Sequence, residues 1–306
     1  MLQMLIGTDI SFMKYRRFAY MFSSALVLAT LVWLVVHGGP RYGVDFTGGE
    51  LLQIRTSEVL TADRVRGALD AAALRGIELQ QLAGEHRDEF LLRMQEQGDK
   101  TDPFPAIKQA IEGGLPGVTI ELRRNESVGP KVGRELRQKA LWAVLGSLAG
   151  ILVYVGVRYE FKFAMGAVAA VFHDVLITLG VLSFTGREVS LTVIAALLTI
   201  AGYSINDTIV VFDRIRERSK ALRKEKHTRV MDIAVNETLS RTVITSLTVF
   251  LTAVALLVWG GEVLRDFSFA MVVGVGFGTY SSVYVASALA LDSWIRIDRS
   301  KGIKAE

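Results

Sequence analysis

The sequence predicts an α-helical polytopic membrane protein with six transmembrane helices and an external α+β domain inserted after the first of them. Three observations carry this. Apolar residues, 51% of the 306, gather in six long blocks, and a bilayer span needs about 20 consecutive apolar residues where a soluble helix needs only a stripe. Lys and Arg crowd the loops of one side. The one long polar insert carries strand and helix signals in the order β-α-β-β-α-β.

The first block is Phe18 to Val36, uncharged and about 28 Å long as a helix, enough to cross the hydrocarbon. Lys14, Arg16 and Arg17 precede it, but it is long for a signal-peptide core and no A-x-A-like site follows, so it reads as a retained anchor. Five further blocks follow the insert: Ala140 to Val157, Phe163 to Phe184, Leu191 to Phe212, Thr242 to Trp259 and Phe267 to Leu291.

Orientation follows from the short loops. The N-terminal tail, the loop holding Arg158 and Lys162, the loop Asp213 to Arg241 with nine Lys or Arg, and the tail with Arg296, Arg299, Lys301 and Lys304 share one side. The opposite short loops hold only Arg187 and Arg265. The expected layout is therefore a cytoplasmic tail over 1–17, a first span over 18–37 and an extracytoplasmic domain over 38–138. Spans two to six follow over 139–292, with a cytoplasmic loop at 213–240 and a cytoplasmic tail over 293–306. The net charge of +4 then records topology, and nucleic acid is not an expected partner. An amphipathic stretch in the long loop, with Val230, Ile233 and Ala234 on its apolar face, is expected to rest on anionic lipid.

Within the insert, Glu50 to Arg55 reads as a strand and Thr61 to Leu74 as a helix started by Thr61. Ile77 to Leu82 and Glu89 to Met94 read as strands joined by a polar turn at Gly84. Pro103 to Ile111 reads as a helix with Pro near its start, and Gly117 to Leu122 as the last strand. The pattern is the split βαβ, ferredoxin-like arrangement. Charge is balanced, 15 Lys or Arg against 16 Asp or Glu between Gly38 and Lys139, so neither a polyanion nor a polycation is indicated as a ligand.

The chemistry-bearing candidates are polar residues inside the blocks. His173 and Asp174 lie in the third span, and Tyr203, Ser204, Asn206 and Asp207 in the fourth. A carboxylate near the centre of a span costs on the order of 2.5 to 3.5 kcal/mol, so it faces protein or water and has a partner. Arg241, Thr245, Thr248 and Thr252 recur at helical spacing on one face of the fifth span, and Arg241 enters from the same side as Asp207. An Asp that alternates between pairing with Arg and carrying a proton is a bistable element. The alternatives are structural: a buried pair that only fixes packing, an Arg that snorkels to the headgroups, a Thr stripe that glues helices, and a packing role for His173 or Asp174. These two neighbours point about 100° apart on a helix, which argues against a shared metal site.

Gly146 with Gly150, Gly166 with Ala170, and Gly274 with Gly278 each lie four apart, the small-xxx-small spacing of closely packed spans. Gly274, Gly276 and Gly278 are not a nucleotide fingerprint, because no strand precedes them. With no cysteine, no Walker motif, no G-x-S-x-G and no metal-spaced His pair, the sequence points to no enzyme, metal or cofactor.

Tyr42 to Gly49 (YGVDFTGG), which contains Asp45, Phe46, Thr47, Gly48 and Gly49, resembles the signature of the SecD/SecF family, accessory membrane subunits of the bacterial Sec protein-export machinery. Ala201 to Glu217 (AGYSINDTIVVFDRIRE), Leu239 to Thr242 (LSRT) and Gly278 to Leu291 (GTYSSVYVASALAL) are similar to the SecF branch, since a SecD chain would be longer with a larger external region. The resemblance implies half of an RND-like unit, paired with SecD in the bacterial inner membrane. It implies use of the proton-motive force to complete preprotein export through SecYEG, with YajC and YidC as further partners. It places proton passage at Asp207 and Arg241; by their position within the spans, and not by the resemblance, Asp174, His173 and Thr245 are weaker candidates for the same role. Two other readings are a non-transporting scaffold subunit and half of an RND-type exporter of small molecules.

Overall fold

The computed structural model describes residues 7–74, 76–82, 86–94, 102–159 and 161–300. The chain divides into two compact units, one of residues 42–139 and one of residues 1–41 with 140–306.

The unit of residues 42–139 is built on four strands, β1 (Gly49–Thr56), β2 (Glu78–Gln81), β3 (Glu89–Met94) and β4 (Ile120–Val128), in the sheet order β2-β3-β1-β4 with every neighbour antiparallel. Side chains alternate across a strand, so Leu52 and Ile54 of β1 and their partners Leu92 and Phe90 of β3 share one face, and all four are fully buried. Two helices close over that face and add Val65, Leu69, Ile107 and Ile111 to the same core. They are the second and third helices of this unit, α3 (Ala62–Ala71) and α4 (Phe104–Gly114), which follow the bundle's α1 (Arg16–Val36) and a single turn α2 (Val44–Thr47). This is the ferredoxin-like order that the sequence pattern predicts.

Two local features differ from expectation. The last strand lies further along, at Ile120–Val128 instead of Gly117 to Leu122, and a bulge at Arg123 shifts its register against β1 between Gln53 and Ile54. Thr61 occupies the position before α3, but its side chain makes no capping hydrogen bond. The turn expected at Gly84 lies outside the described residues.

The second unit is a bundle. After α1 it comprises α5 (Pro130–Arg158, of which 140–158 belong here), α6 (Phe161–Phe184), α7 (Leu191–Ala221), α8 (His227–Trp259), α9 (Gly261–Ser281) and α10 (Ser287–Ser300), with a five-residue π turn (Ser282–Ala286) joining the last two. Six stretches among the described residues are long and apolar enough to cross a membrane, the last being α9, the π turn and α10 as one rod. Helices α7 and α8 run far past their apolar blocks, so the polar loop reduces to residues 222–226. Val230 and Ala234 are accordingly buried inside the bundle, not facing lipid, which overturns the amphipathic surface helix: long helices gain more by continuing their packing than by turning onto a headgroup layer.

At the bundle's centre α9 packs on α6, α7 and α8. Gly274 is required for this approach, whereas Gly278 would leave room for a Cβ at ordinary contact distance. A Cβ at Gly274 would strike the side chain of Ile200, and one at Gly278 would lie 3.5 Å from Ser204 Cβ and 3.7 Å from Asp174 Oδ2. Gly166 likewise lies against the backbone of Ala286. Gly146 and Gly150, by contrast, are exposed with nothing near them in this chain.

Candidate functional site

Polar side chains inside an apolar bundle must find partners within it, and here they form two linked clusters. Asp174, on α6, is fully buried and takes three hydrogen bonds. Ser204 Oγ of α7 and Ser281 Oγ of α9 each donate to Oδ2 at 2.6 Å, and His173 Nδ1 lies 2.9 Å from Oδ1. His173 Nε2 is buried and has no hydrogen-bond partner among the described residues. The first two lengths are those of charge-assisted O–H···O⁻ bonds. Asp174 therefore ties α6, α7 and α9 together at one point.

Asp207, one turn beyond Ser204 on α7, is almost as buried but held more loosely. Thr242 Oγ1 of α8 donates to Oδ1 at 3.0 Å and Ser282 Oγ donates to Oδ2 at 3.2 Å. The two clusters meet at consecutive residues, since Ser281 serves Asp174 and Ser282 serves Asp207. The junction falls where α9 passes into the π turn, a helix defect frequent at functional sites. A third hydroxyl set lies nearby, with Tyr203 Oη and Thr279 Oγ1 each 2.7 Å from Ser246 Oγ.

The structure does not bring Arg241 onto Asp207. Among the described residues no ion pair joins them, and the Arg241 side chain is exposed on this chain while its neighbour Thr242 makes the contact. Consecutive helical residues point about 100° apart, and in this register of α8 it is the Thr242 hydroxyl that meets Asp207. Arg241 remains near enough for its charge to act on Asp207. Thr245 is also outside the cluster: its hydroxyl donates to the carbonyls of Arg241 and Thr242, each at 3.0 Å. Thr248 and Thr252 bond back to the carbonyls four residues earlier in the same way. The Thr stripe thus satisfies itself and leaves an exposed face on α8.

Sequence reasoning found both carboxylates and missed the hydroxyls that hold them, Thr242, Ser281 and Ser282. The signal available was the Ser281-Ser282 pair in the middle of an apolar block, weak because lone hydroxyls in spans are cheap.

The signature residues Asp45, Phe46, Thr47, Gly48 and Gly49 lie in the other unit, in α2 and the start of β1. Val44 and Phe46 are buried, and Thr47 Oγ1 donates to the Gly43 carbonyl at 3.2 Å. Gly48 has φ 73° and ψ 165°, a region essentially closed to residues with a Cβ. A Cβ there would also lie 2.7 Å from Pro130 Cα. The chain entering this unit is thereby packed against the chain leaving it.

Six membrane-length helices with buried carboxylates at their centre, and a ferredoxin-like insert after the first, define a polytopic membrane protein of the RND-like half type. A family model described as protein export membrane protein SecD/SecF, C-terminal, matches residues 111–295. The chain is 40% identical over 295 residues to the protein translocase subunit SecF of Thermodesulfovibrio yellowstonii, covering 95% of this chain and 97% of that one. It is 42% identical over 289 residues to the SecF of Vibrio alginolyticus, covering 92% and 89%. Among solved structures it is similar to SecDF, a translocon-associated membrane protein from Thermus thermophilus, with a TM-score of 0.85 and 38% identity. That match covers 96% of this chain and 40% of the other, so the chain spans well under half of that protein. This chain belongs to the SecD/SecF family.

Proposed function

We propose that this chain is an accessory subunit of the bacterial Sec protein-export machinery, seated in the cytoplasmic membrane with both termini inside and residues 38–138 outside. It pairs with SecD and, with SecYEG, YajC and YidC as further partners, uses the proton-motive force to promote preprotein movement and release. It binds and moves protons and polypeptide and carries out no bond-making step.

One observation carries the proton reading. Asp207 is buried within a span and held only by two long hydroxyl contacts, so gaining or losing a proton breaks no ion pair within the chain. Asp174, with its short bonds to two serines, serves as the fixed anchor and His173 as its companion. Arg241, exposed beside Asp207, is free to answer a carboxylate of the partner subunit or to swing onto Asp207. In that second state the guanidinium would replace the Thr242 hydroxyl.

The test is export stimulation in membranes carrying the paired subunits. Asp207→Asn keeps the shape and removes the proton site, so proton-dependent stimulation should be abolished while assembly with SecD persists. Full stimulation in the variant would make Asp207 structural and favour a scaffold subunit.

A further inference from the structure

We propose that Ser282 is a positioning residue that converts the charge state of Asp207 into a change in the π turn joining α9 to α10, an inference that rests on the reading of Asp207 as a proton carrier. A serine hydroxyl has one proton to donate. Ser282 Oγ has two acceptors at nearly equal distance, Asp207 Oδ2 at 3.2 Å and the Thr279 carbonyl of its own helix at 3.0 Å. Its neighbour is not poised in this way. Ser281 Oγ lies 2.6 Å from Asp174 Oδ2 and 3.1 Å from the Gly278 carbonyl, so its proton belongs to the carboxylate.

The two residues therefore act differently. Ser281, clamped to Asp174, fixes the end of α9, and Ser282 is the first residue past the clamp. When Asp207 is ionised it draws the Ser282 proton. When Asp207 takes up a proton it becomes a donor itself, and the Ser282 hydroxyl turns to Thr279. A hydroxyl bonded back onto its own helix carbonyl bends that helix, and here it does so where the ladder is already irregular. The carbonyl of Ser282 is taken by the Ser287 hydroxyl at 2.8 Å, across the π turn, so side chains hold the turn at both ends and a change of partner at Ser282 acts directly on its first residue.

The charged and titratable groups around Asp207 are consistent with this device. From α8 the nearby charge is Arg241, and from its own helix Tyr203. From α6 Asp174 and His173 reach it only through Ser204 and Ser281. From the π turn comes the hydroxyl of Ser282, while on α9 the Thr279 hydroxyl is turned to Ser246 and the Tyr280 ring lies 6.2 Å from that of His173. No charge on α9 competes with Ser282 for Asp207 among these contacts.

The experiment is the hydrogen-exchange protection of the segment 279–291, taken relative to the intrinsic amide exchange rate at each pH, in the full chain paired with SecD in proteoliposomes, with proton flux recorded on the same preparations. In the wild type this protection changes with pH. In Ser282→Ala that dependence is lost while proton flux through Asp207 persists at a reduced rate, and Ser282→Thr restores both. Ser282→Cys, which keeps the shape with a weaker donor, gives a smaller pH response and guards against misfolding of the alanine variant. If Ser282→Ala and Ser282→Cys keep the wild-type pH dependence, the serine device is wrong while Asp207 remains the carrier. If Asp207→Asn keeps it as well, the carrier reading itself fails.

Discussion

Two carboxylates within one bundle differ in how tightly they are held, and the roles proposed for them rest on that difference. A hydrogen bond to a charged group contributes about 1.5 to 3 kcal/mol, and Asp174 has two short ones and a histidine where Asp207 has two long ones. The sequence singles out both, because an ionisable residue inside a span is costly wherever it sits. It cannot rank them, since the ranking depends on hydroxyls delivered by other helices. The sequence puts Asp207 and Arg241 on one side of the membrane, where they could meet, and leaves the partner of Arg241 open; in this structure helical phase brings Thr242, not Arg241, to the carboxylate. At the same scale, two glycines should respond oppositely to alanine. Gly48→Ala forces a Cβ into a glycine-only backbone region against Pro130 and should cost about 1 to 3 kcal/mol. Gly67→Ala, inside α3 with open space around it, should stabilise by about 0.4 to 1 kcal/mol. Hydrogen exchange of β1 in the full chain reads both, and equal effects would remove the conformational argument.

Among the elements, those with unbroken apolar periodicity are legible and those held by polar contacts are not. Each of the six spans is visible as a block because the bilayer demands length, and β1 and β3 are visible as short apolar runs of strand length, ELLQIR and EFLLRM. Strand β4 is misplaced by the sequence because Glu121, Arg123, Arg124 and Glu126 mask its alternation, and it carries a bulge. The stretch before α1 is the clearest omission. Ile10 to Met13 docks on α8: Asn236 exchanges two hydrogen bonds with the Ile10 backbone at 3.0 and 2.8 Å, and Asp232 Oδ1 accepts from Met13 N at 2.8 Å. Nothing in a short N-terminal tail announces partners more than two hundred residues away. Asn236→Ala removes both Ile10 bonds, about 1 kcal/mol each, and should raise protease access to residues 7–13 without loosening the spans. In the insert, Phe90 is fully buried under α3 and α4, so Phe90→Ala should destabilise that unit by about 3 to 5 kcal/mol. Exchange confined to 49–128 would show it, and a uniform loss across both units would contradict their independence.

For the whole molecule, the energies involved are commensurate. A proton crossing downhill releases about 2.3 kcal/mol per 100 mV of membrane potential, the same order as one hydrogen bond to a charged group. The partner exchange proposed for Asp207 is thus of a size that one proton's passage can drive. Arg241 is exposed on this chain, and a guanidinium within a span needs protein or water beside it. The most direct measurement is proton flux across liposomes containing the reconstituted pair, wild type against Asp207→Asn, under an imposed potential. The account predicts flux in the wild type and none above background in the variant; undiminished flux through Asp207→Asn would contradict it.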